Sequence, residues 1–277
     1  MDDSKQTDPL DARLIRESMA PAMQARLLYL TLLRETDSTN TTLQNMPGHR
    51  QHAHAVLADC QTGGRGRRQK SWHSPAGGNV YLSLGWRFRK TGWPLSTLPL
   101  VVAIAVCRAL ARTGLQGHGI KWPNDILVKG KKLAGILVEL NSPGAGPALA
   151  IIGVGLNIRM PPASKGTLSD VIDRPWTDLA SEMKTAFPLA SRNRLAALLL
   201  EELLAALEDY QSSGFPVFSS AWQELDLLQG RSIRLEHNGE QISGEAQGVD
   251  ASGGLLLKTV SSGIQVFHSG EVSVYDD

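Results

Sequence analysis

Two clusters in this chain carry residue types suited to chemistry on a charged ligand. The first is Gly63-Gly64-Arg65-Gly66-Arg67-Arg68, three guanidinium groups on a backbone loosened by three glycines. Glycine lets main-chain N–H groups approach a ligand, and each arginine offers a planar fork of donors matched to phosphate or carboxylate. Taken alone, the run fits an anion-holding loop and a solvated RNA-binding segment equally well. The second cluster is Lys121-Trp122-Pro123-Asn124-Asp125, followed by Lys132-Leu133-Ala134-Gly135-Ile136-Leu137-Val138-Glu139. A third candidate, Asp37-Ser38-Thr39-Asn40, can cap a helix or offer hydroxyls and an amide to a polar ligand group.

Elements must hold these residues in place. Downstream of the Gly/Arg run, Val80, Leu82, Leu84 and Trp86 alternate with Tyr81, Ser83 and Gly85, the period-2 pattern of a strand. Ala55 to Ala58 is a short apolar run upstream, so the basic loop is expected to join two strands of one sheet. Ile126 to Val128 and Leu133 to Leu140 flank Lys129-Gly130-Lys131-Lys132, which predicts a hairpin. Ala148 to Ile158 predicts a further buried strand containing Gly153 and Gly155, and glycine inside a strand marks close approach of a ligand or another backbone.

Leu10 to Arg34 reads as helix divided by Pro21 and leading into a strand, with residues 1–9 expected to be disordered. Leu98 to Arg112 predicts a buried helix closed by Gly114. Leu195, Leu199, Leu203 and Leu207 recur every fourth residue on an amphipathic helix. After Gly230 the pattern changes to five short strands, which suggests a small barrel. Met160 to Arg174 shows no periodicity and reads as a mobile loop with Trp176 just beyond.

Composition narrows the function classes. A formal net charge of +1 over 277 residues gives no general attraction to nucleic acid or membranes, so any basic function is local. Two cysteines, Cys60 and Cys107, build neither a disulfide framework nor a zinc site and fit a reducing cytoplasm. The uncharged stretch from Thr91 to Cys107 is broken by Pro94 and Pro99 and is too short to span a bilayer as a helix, and the N-terminus lacks a signal-peptide pattern. No Gly-x-x-x-x-Gly-Lys-Ser/Thr phosphate loop is present.

The Gly/Arg run, Lys121 to Asp125, Lys132 to Glu139 and Asp37 to Asn40, in this chain order, closely resemble the motifs of biotin protein ligases, which biotinylate carboxylase carrier domains. The resemblance spans roughly Arg34 to Tyr275. It implies an α+β (α/β) fold with a central mixed sheet flanked by helices, as in class II aminoacyl-tRNA synthetases and biotin and lipoate ligases, on residues 1–228. An SH3-like barrel would occupy 229–277. It further implies biotin and ATP with Mg2+ as reactants, no metal ligands on the protein, and the apo-biotin carboxyl carrier protein of acetyl-CoA carboxylase as partner. A cytoplasmic location, either a monomer or a homodimer, and no sequence-specific nucleic acid binding complete the expectation. The last point rests on there being only about thirty-five residues before Asp37.

By the same resemblance, Ser38, Thr39 and Asn40 line the biotin end, continued by Gln61, Arg65, Gly66 and Arg67. Lys132 meets the carboxylate and α-phosphate, Gly135 and Leu137 border the ligand, and Gly153 and Gly155 let the ureido ring sit against backbone. Arg65, Arg67, Arg68, Trp72, Lys132, Asn157 and Trp176 form the nucleotide side. Arg67, Lys132 and Asp125 are the catalytic candidates, Asp125 by orienting or deprotonating the carrier lysine; capping or pairing with Lys121 is its alternative role. One departure is Gln69, where the family loop commonly has Gly. Lipoate-protein ligase or octanoyltransferase is the nearer rival, and an RNA-binding module the further one.

Overall fold

The computed structural model describes residues 9–89, 92–141, 147–161, 175–183 and 191–275. Leu10 to Arg34 resolves into helices α1 (Ala12–Glu17) and α2 (Pro21–Arg26) and strand β1 (Tyr29–Thr36). Asp11 caps α1 by accepting from the backbone N–H groups of Arg13 and Leu14, and Pro21 opens α2, where its missing N–H costs nothing. Helix α3 (Thr39–Gln44) and strands β2 (His54–Gln61) and β3 (Val80–Phe88) follow, then helix α4 (Leu98–Ala111). Strands β4 (His118–Lys121), β5 (Asp125–Val128), β6 (Lys131–Asn141) and β7 (Ala148–Leu156) complete the first sheet. Helices α5 (Leu179–Glu182), α6 (Ser191–Ser213) and α7 (Ser219–Leu225) lead to strands β8 (Ser232–His237), β9 (Glu240–Val249), β10 (Leu255–Thr259), β11 (Gly263–Phe267) and β12 (Glu271–Val274).

The seven-stranded sheet runs β1-β2-β3-β7-β6-β5-β4, with β1 and β2 parallel and every other neighbour pair antiparallel. Its two faces are built differently. On one face, Ala55 and Leu57 of β2, Leu82 and Leu84 of β3, and Ala150, Ile152, Val154 and Leu156 of β7 join a large core with α4 and α6. Helix α4 is buried along almost its whole length, which is why its sequence is apolar all round rather than striped. On the other face, Val56, Leu149 and Ile151 meet Leu43 of α3 in a small cluster. Further along β7 the same side continues as Gly153 and Gly155, so the apolar fill stops and a slot opens.

The predicted hairpin between β5 and β6 turns through Lys129 and Gly130, both at positive φ (49° and 76°). Its register shifts between Ile126 and Leu127. That bulge matters: Lys132 and Gly135 are three residues apart, which strict alternation would place on opposite faces, yet both line the same cavity. The period-2 strand at Val80 holds, but its polar positions Tyr81 and Ser83 are buried rather than wet.

After Gly230, the five expected strands form one antiparallel sheet, order β11-β10-β9-β8-β12. Ile233, Leu235, Leu255, Leu257 and Val272 belong to the same contiguous core as α4 and the large sheet. Trp122 Nε1 donates to Gly253 O at 3.0 Å and Ser96 Oγ to Ser252 O at 3.0 Å, which ties the two sheets together. Among the described residues no helix is long and apolar enough to cross a membrane. The loop expected at Met160 to Arg174 lies, from 162 to 174, outside the described residues, as do 1–8 of the expected N-terminal tail.

Candidate active site

The slot on the α3 face widens into a cavity of about 350 Å³. Every residue anticipated from the sequence lines it: Ser38, Thr39, Asn40, Gln61, Arg65, Gly66, Arg67, Arg68, Trp72, Asp125, Lys132, Gly135, Leu137, Gly153, Gly155, Asn157 and Trp176. Five separated stretches of chain therefore converge on one place.

At one end, Ser38 occupies the cap position of α3, but neither its side chain nor its neighbours' hydroxyls cap the helix. The capping role anticipated for this tetrapeptide is not filled: α3 has no side-chain cap, and Asp37 Oδ1 accepts from Ser38 N at 2.6 Å, ahead of the first helical turn. All three remaining residues are buried, and Thr39 and Asn40 are bonded to the sheet. Gln61 Oε1 accepts from Thr39 N at 2.9 Å, and Gln61 Nε2 donates to Ser74 Oγ at 2.9 Å. Ser83 Oγ lies 2.7 Å from Thr39 Oγ1 and donates to Asn40 Oδ1 at 2.5 Å, and Asn40 Nδ2 donates to Glu139 Oε2 at 2.7 Å.

The Gly/Arg stretch connects β2 to β3, as expected, and folds back on itself. Trp72 N donates to Gly64 O at 2.8 Å and Gly66 N to Lys70 O at 2.6 Å. A Cβ at Gly64 would stand 2.5 Å from the Trp72 carbonyl oxygen, so only glycine permits the return. At the tip, Arg68 and Gln69 both adopt positive φ (54° and 61°). Gln69 thus occupies a left-handed conformation in which a side chain costs about 1 kcal/mol, the physical reason a glycine suits that position.

The three arginines have different partners. Arg65 Nη2 reaches Glu139 Oε2 at 3.1 Å and Thr41 Oγ1 at 3.3 Å. Arg68 Nη1 stands 4.0 Å from Glu271 Oε1, and Lys70 Nζ pairs with the same carboxylate at 2.7 Å. Arg67 donates to the neutral Asn124 Oδ1 at 3.2 Å, and Asn124 Nδ2 in turn donates to Ile136 O at 2.8 Å. Burial, with Arg68 adding to it, holds the Arg67 guanidinium below the usual arginine range, while Asp125 and Glu271 act in the opposite direction. It stays charged at neutral pH, so it is a desolvated cation that an entering anion would stabilise.

Lys132 Nζ pairs with Asp125 Oδ1 at 2.6 Å and lies 5.2 Å from the centroid of the Trp72 ring. Pairing was one anticipated role of Asp125, with Lys121 as the expected partner. The ion pair runs to Lys132 because the bulge in β5–β6 turns that lysine to the cavity side. Trp176 is placed by a backbone bridge to Lys132: Lys132 N donates to Pro175 O and Thr177 N donates to Lys132 O, each at 2.9 Å. Asn157 is buried and gives its amide to Thr177 O at 3.1 Å, which fixes the same segment.

A Cβ on Gly153 would meet Asn40 Oδ1 at 2.6 Å, and one on Gly155 would meet the Trp72 indole at 2.4 Å. In this structure they make room for the protein's own Asn40 and Trp72 while lining the cavity. The Trp72 indole N–H is buried without a hydrogen-bond partner, so packing and the Lys132 ammonium over its face hold the ring there.

Sequence reasoning missed Glu139, Ser83 and Glu271. Glu139 and Ser83 were within reach, since they continue the period-2 faces of Gly135 and Leu137 and of Tyr81. Glu271, on β12, carries no local signal and arrives through tertiary packing.

Residues 32–157 match the Biotin/lipoate A/B protein ligase family, and residues 229–275 match the Biotin protein ligase C terminal domain. The bifunctional ligase/repressor BirA of Escherichia coli is 35% identical over 245 residues, covering 88% of this chain and 74% of that protein. The chain belongs to the biotin protein ligase family. Another relative among the ligases is the biotin-(acetyl-CoA-carboxylase) ligase of Mycobacterium tuberculosis, 31% identical over 257 residues and 90% of each chain. In fold, a biotin protein ligase from Aquifex aeolicus in complex with biotin and ATP superposes with a TM-score of 0.74 at 27% identity, covering 90% of this chain and all of that one.

Proposed function

We propose that this protein is an ATP-dependent biotin protein ligase that converts biotin to biotinyl-5′-AMP and then biotinylates a lysine of the carboxyl carrier protein of acetyl-CoA carboxylase. The observation that carries the reading is the convergence of the Gly/Arg loop, the Lys121 to Asp125 turn, Lys132 and the glycines of β6 and β7 on one cavity. We place the reaction in the cytoplasm.

In the first step a biotin carboxylate oxygen attacks the α-phosphorus of ATP, and the bond to the pyrophosphate oxygen breaks. Bringing two unit negative charges to 4 Å costs about 4 kcal/mol at an effective dielectric near 20, roughly a thousandfold in rate. Cations placed beforehand offset that repulsion. Lys132 and Arg67 are proposed to flank the carboxylate and α-phosphate, Arg67 because it is desolvated and faces a neutral amide, Lys132 because Asp125 and the Trp72 ring hold its ammonium at the glycine strip. Arg65 and Arg68 contribute field from the loop, although Glu139 and Glu271 already balance part of it.

The biotin rings are proposed to lie toward Ser38, Thr39, Asn40 and Gln61, with Gly66, Gly135, Leu137, Gly153 and Gly155 along the ligand. Trp72, Asn157 and Trp176 take the nucleotide side. In the second step the carrier lysine amine attacks the acyl carbon, the bond to the phosphate oxygen breaks and AMP leaves, and the amine gives up a proton. Asp125 is proposed to orient that amine or to accept its proton once Lys132 turns to the acyl phosphate. Mg2+ would accompany ATP on its own phosphates. The carboxylates Asp125, Glu139 and Glu271 each face a cation, an arrangement that does not fit a protein-held metal.

Incubation with ATP, an apo-carrier domain and labelled biotin or lipoate tests the reading. Biotin transferred in an ATP-dependent way is expected; transfer of lipoate alone would replace it with the lipoate-ligase alternative.

A further inference from the structure

Glu139 has no place in the reaction described above, yet it sits at a junction. It projects from the same face of β6 as Gly135 and Leu137, four and two residues before it, both of which line the cavity. One of its oxygens, Oε2, accepts from Asn40 Nδ2 at 2.7 Å and from Arg65 Nη2 at 3.1 Å. Asn40 is fixed from its other side by Ser83, and through Ser83 and Thr39 the chain of contacts continues to Gln61. Arg65 stands on the Gly/Arg loop, where its backbone bridges to Ser71, and its side chain also reaches the Thr41 hydroxyl at 3.3 Å. An ion pair of this exposure, with side chains 42% and 31% accessible, is weak by itself. Sharing one oxygen with a buried amide makes it directional.

We propose that Glu139 is a positioning residue that couples the biotin end of the cavity to the closure of the Gly/Arg loop, by holding Asn40 and Arg65 on one carboxylate oxygen. The inference rests on the biotin reading. A biotin ring group that bonds to the Asn40 end draws on the same network that holds Arg65, so filling that end steadies the loop. Without the carboxylate the two would act separately.

The test compares wild type, Glu139→Gln and Glu139→Ala by calorimetric biotin binding, steady-state kinetics and trypsin cleavage after Arg65, Arg67, Arg68 and Lys70. For Glu139→Ala, biotin affinity is expected to fall about tenfold, as for loss of a charge-assisted hydrogen bond, with the loss appearing in KM for biotin more than in kcat. Biotin should slow loop cleavage in wild type and fail to do so in this variant. Glu139→Gln keeps an acceptor for Asn40 but not the charge on Arg65, and should fall between. Adding Glu139→Ala to Arg65→Ala should then cost little more than Arg65→Ala alone. Wild-type affinity and biotin-dependent protection in both Glu139 variants, or fully additive losses with Arg65→Ala, would overturn the coupling while leaving the ligase function standing. A wild type that binds no biotin would overturn the function and the coupling together.

Discussion

At the residue scale Lys132, Arg65 and Arg68 face carboxylates while Arg67 faces a neutral amide, and this changes what substitutions should do. Lys132 looks like a ligand-facing charge whose removal spares the fold, which is what sequence alone suggests. Its partner Asp125 is 8% exposed, so Lys132→Ala leaves a buried carboxylate unpaired and should cost about 1–3 kcal/mol of stability as well as adenylate formation. The double variant Lys132→Ala with Asp125→Asn should recover most of that stability and none of the activity. Arg67→Ala, whose partner is a neutral amide bonded elsewhere, should lose adenylate formation with a melting temperature near wild type. Thermal melts beside pyrophosphate-exchange rates check both; full exchange activity in either single variant would remove that residue from its role. The residue types were legible because arginine, lysine and glycine clusters have few structural uses. Their pairing was not, since Glu139 and Glu271 reach the Arg-bearing loop from strands far along the chain.

Element by element, the site exists because one face of β7 changes from Leu149 and Ile151 to Gly153 and Gly155. The apolar fill beneath α3 ends there and leaves a slot with Asn40 on one glycine and Trp72 on the next. Gly155→Ala should therefore act through Trp72: a Cβ at 2.4 Å from the ring must push the indole away, an overpacking of roughly 1–3 kcal/mol. The expected outcome is at least tenfold weaker biotinyl-adenylate binding together with a changed Trp72 fluorescence, measured in a titration. Unchanged binding would mean that the indole's seat is unrelated to the ligand. Strands β2, β3, β5, β6 and β7 were readable from alternation and turn residues. Strand β4 was not, because His118 to Lys121 offers four residues with no alternation, and the β5–β6 bulge that aims Lys132 leaves no mark in the sequence.

Over the whole molecule, the hydrophobic core runs without interruption from the large sheet through α4 and α6 into the C-terminal sheet, so a boundary near 228 and 229 in sequence does not separate two cores. Composition gave the five C-terminal strands but not their docking, which depends on contacts such as Trp122 with Gly253 and Lys70 with Glu271. Two histidines, His54 at the start of β2 and His52 just ahead of it, lower stability in acid. Burial pushes His54 and His52 below the ordinary histidine range. Arg50 carbonyl bonding partly opposes this for His54, and Arg87 and Arg89 reinforce it for His52. The unfolded chain therefore binds these protons more readily, and stability falls as pH drops below about 6.5 through the lowered folded values. Urea melts at pH 7.5 and 5.0 should show lower stability at pH 5.0, with a smaller difference in His54→Gln. An identical pH dependence in that variant would assign the loss to other groups.

The central claim is that the acyl phosphate of biotinyl-AMP forms between Lys132 and Arg67 above the glycine strip of β6 and β7. A crystal structure of the protein with biotinyl-5′-AMP tests it most directly. It should show the acyl phosphate within hydrogen-bond reach of both cations and the biotin rings against Ser38 to Asn40. An adenylate bound with its phosphate away from Lys132 and Arg67 would contradict the account.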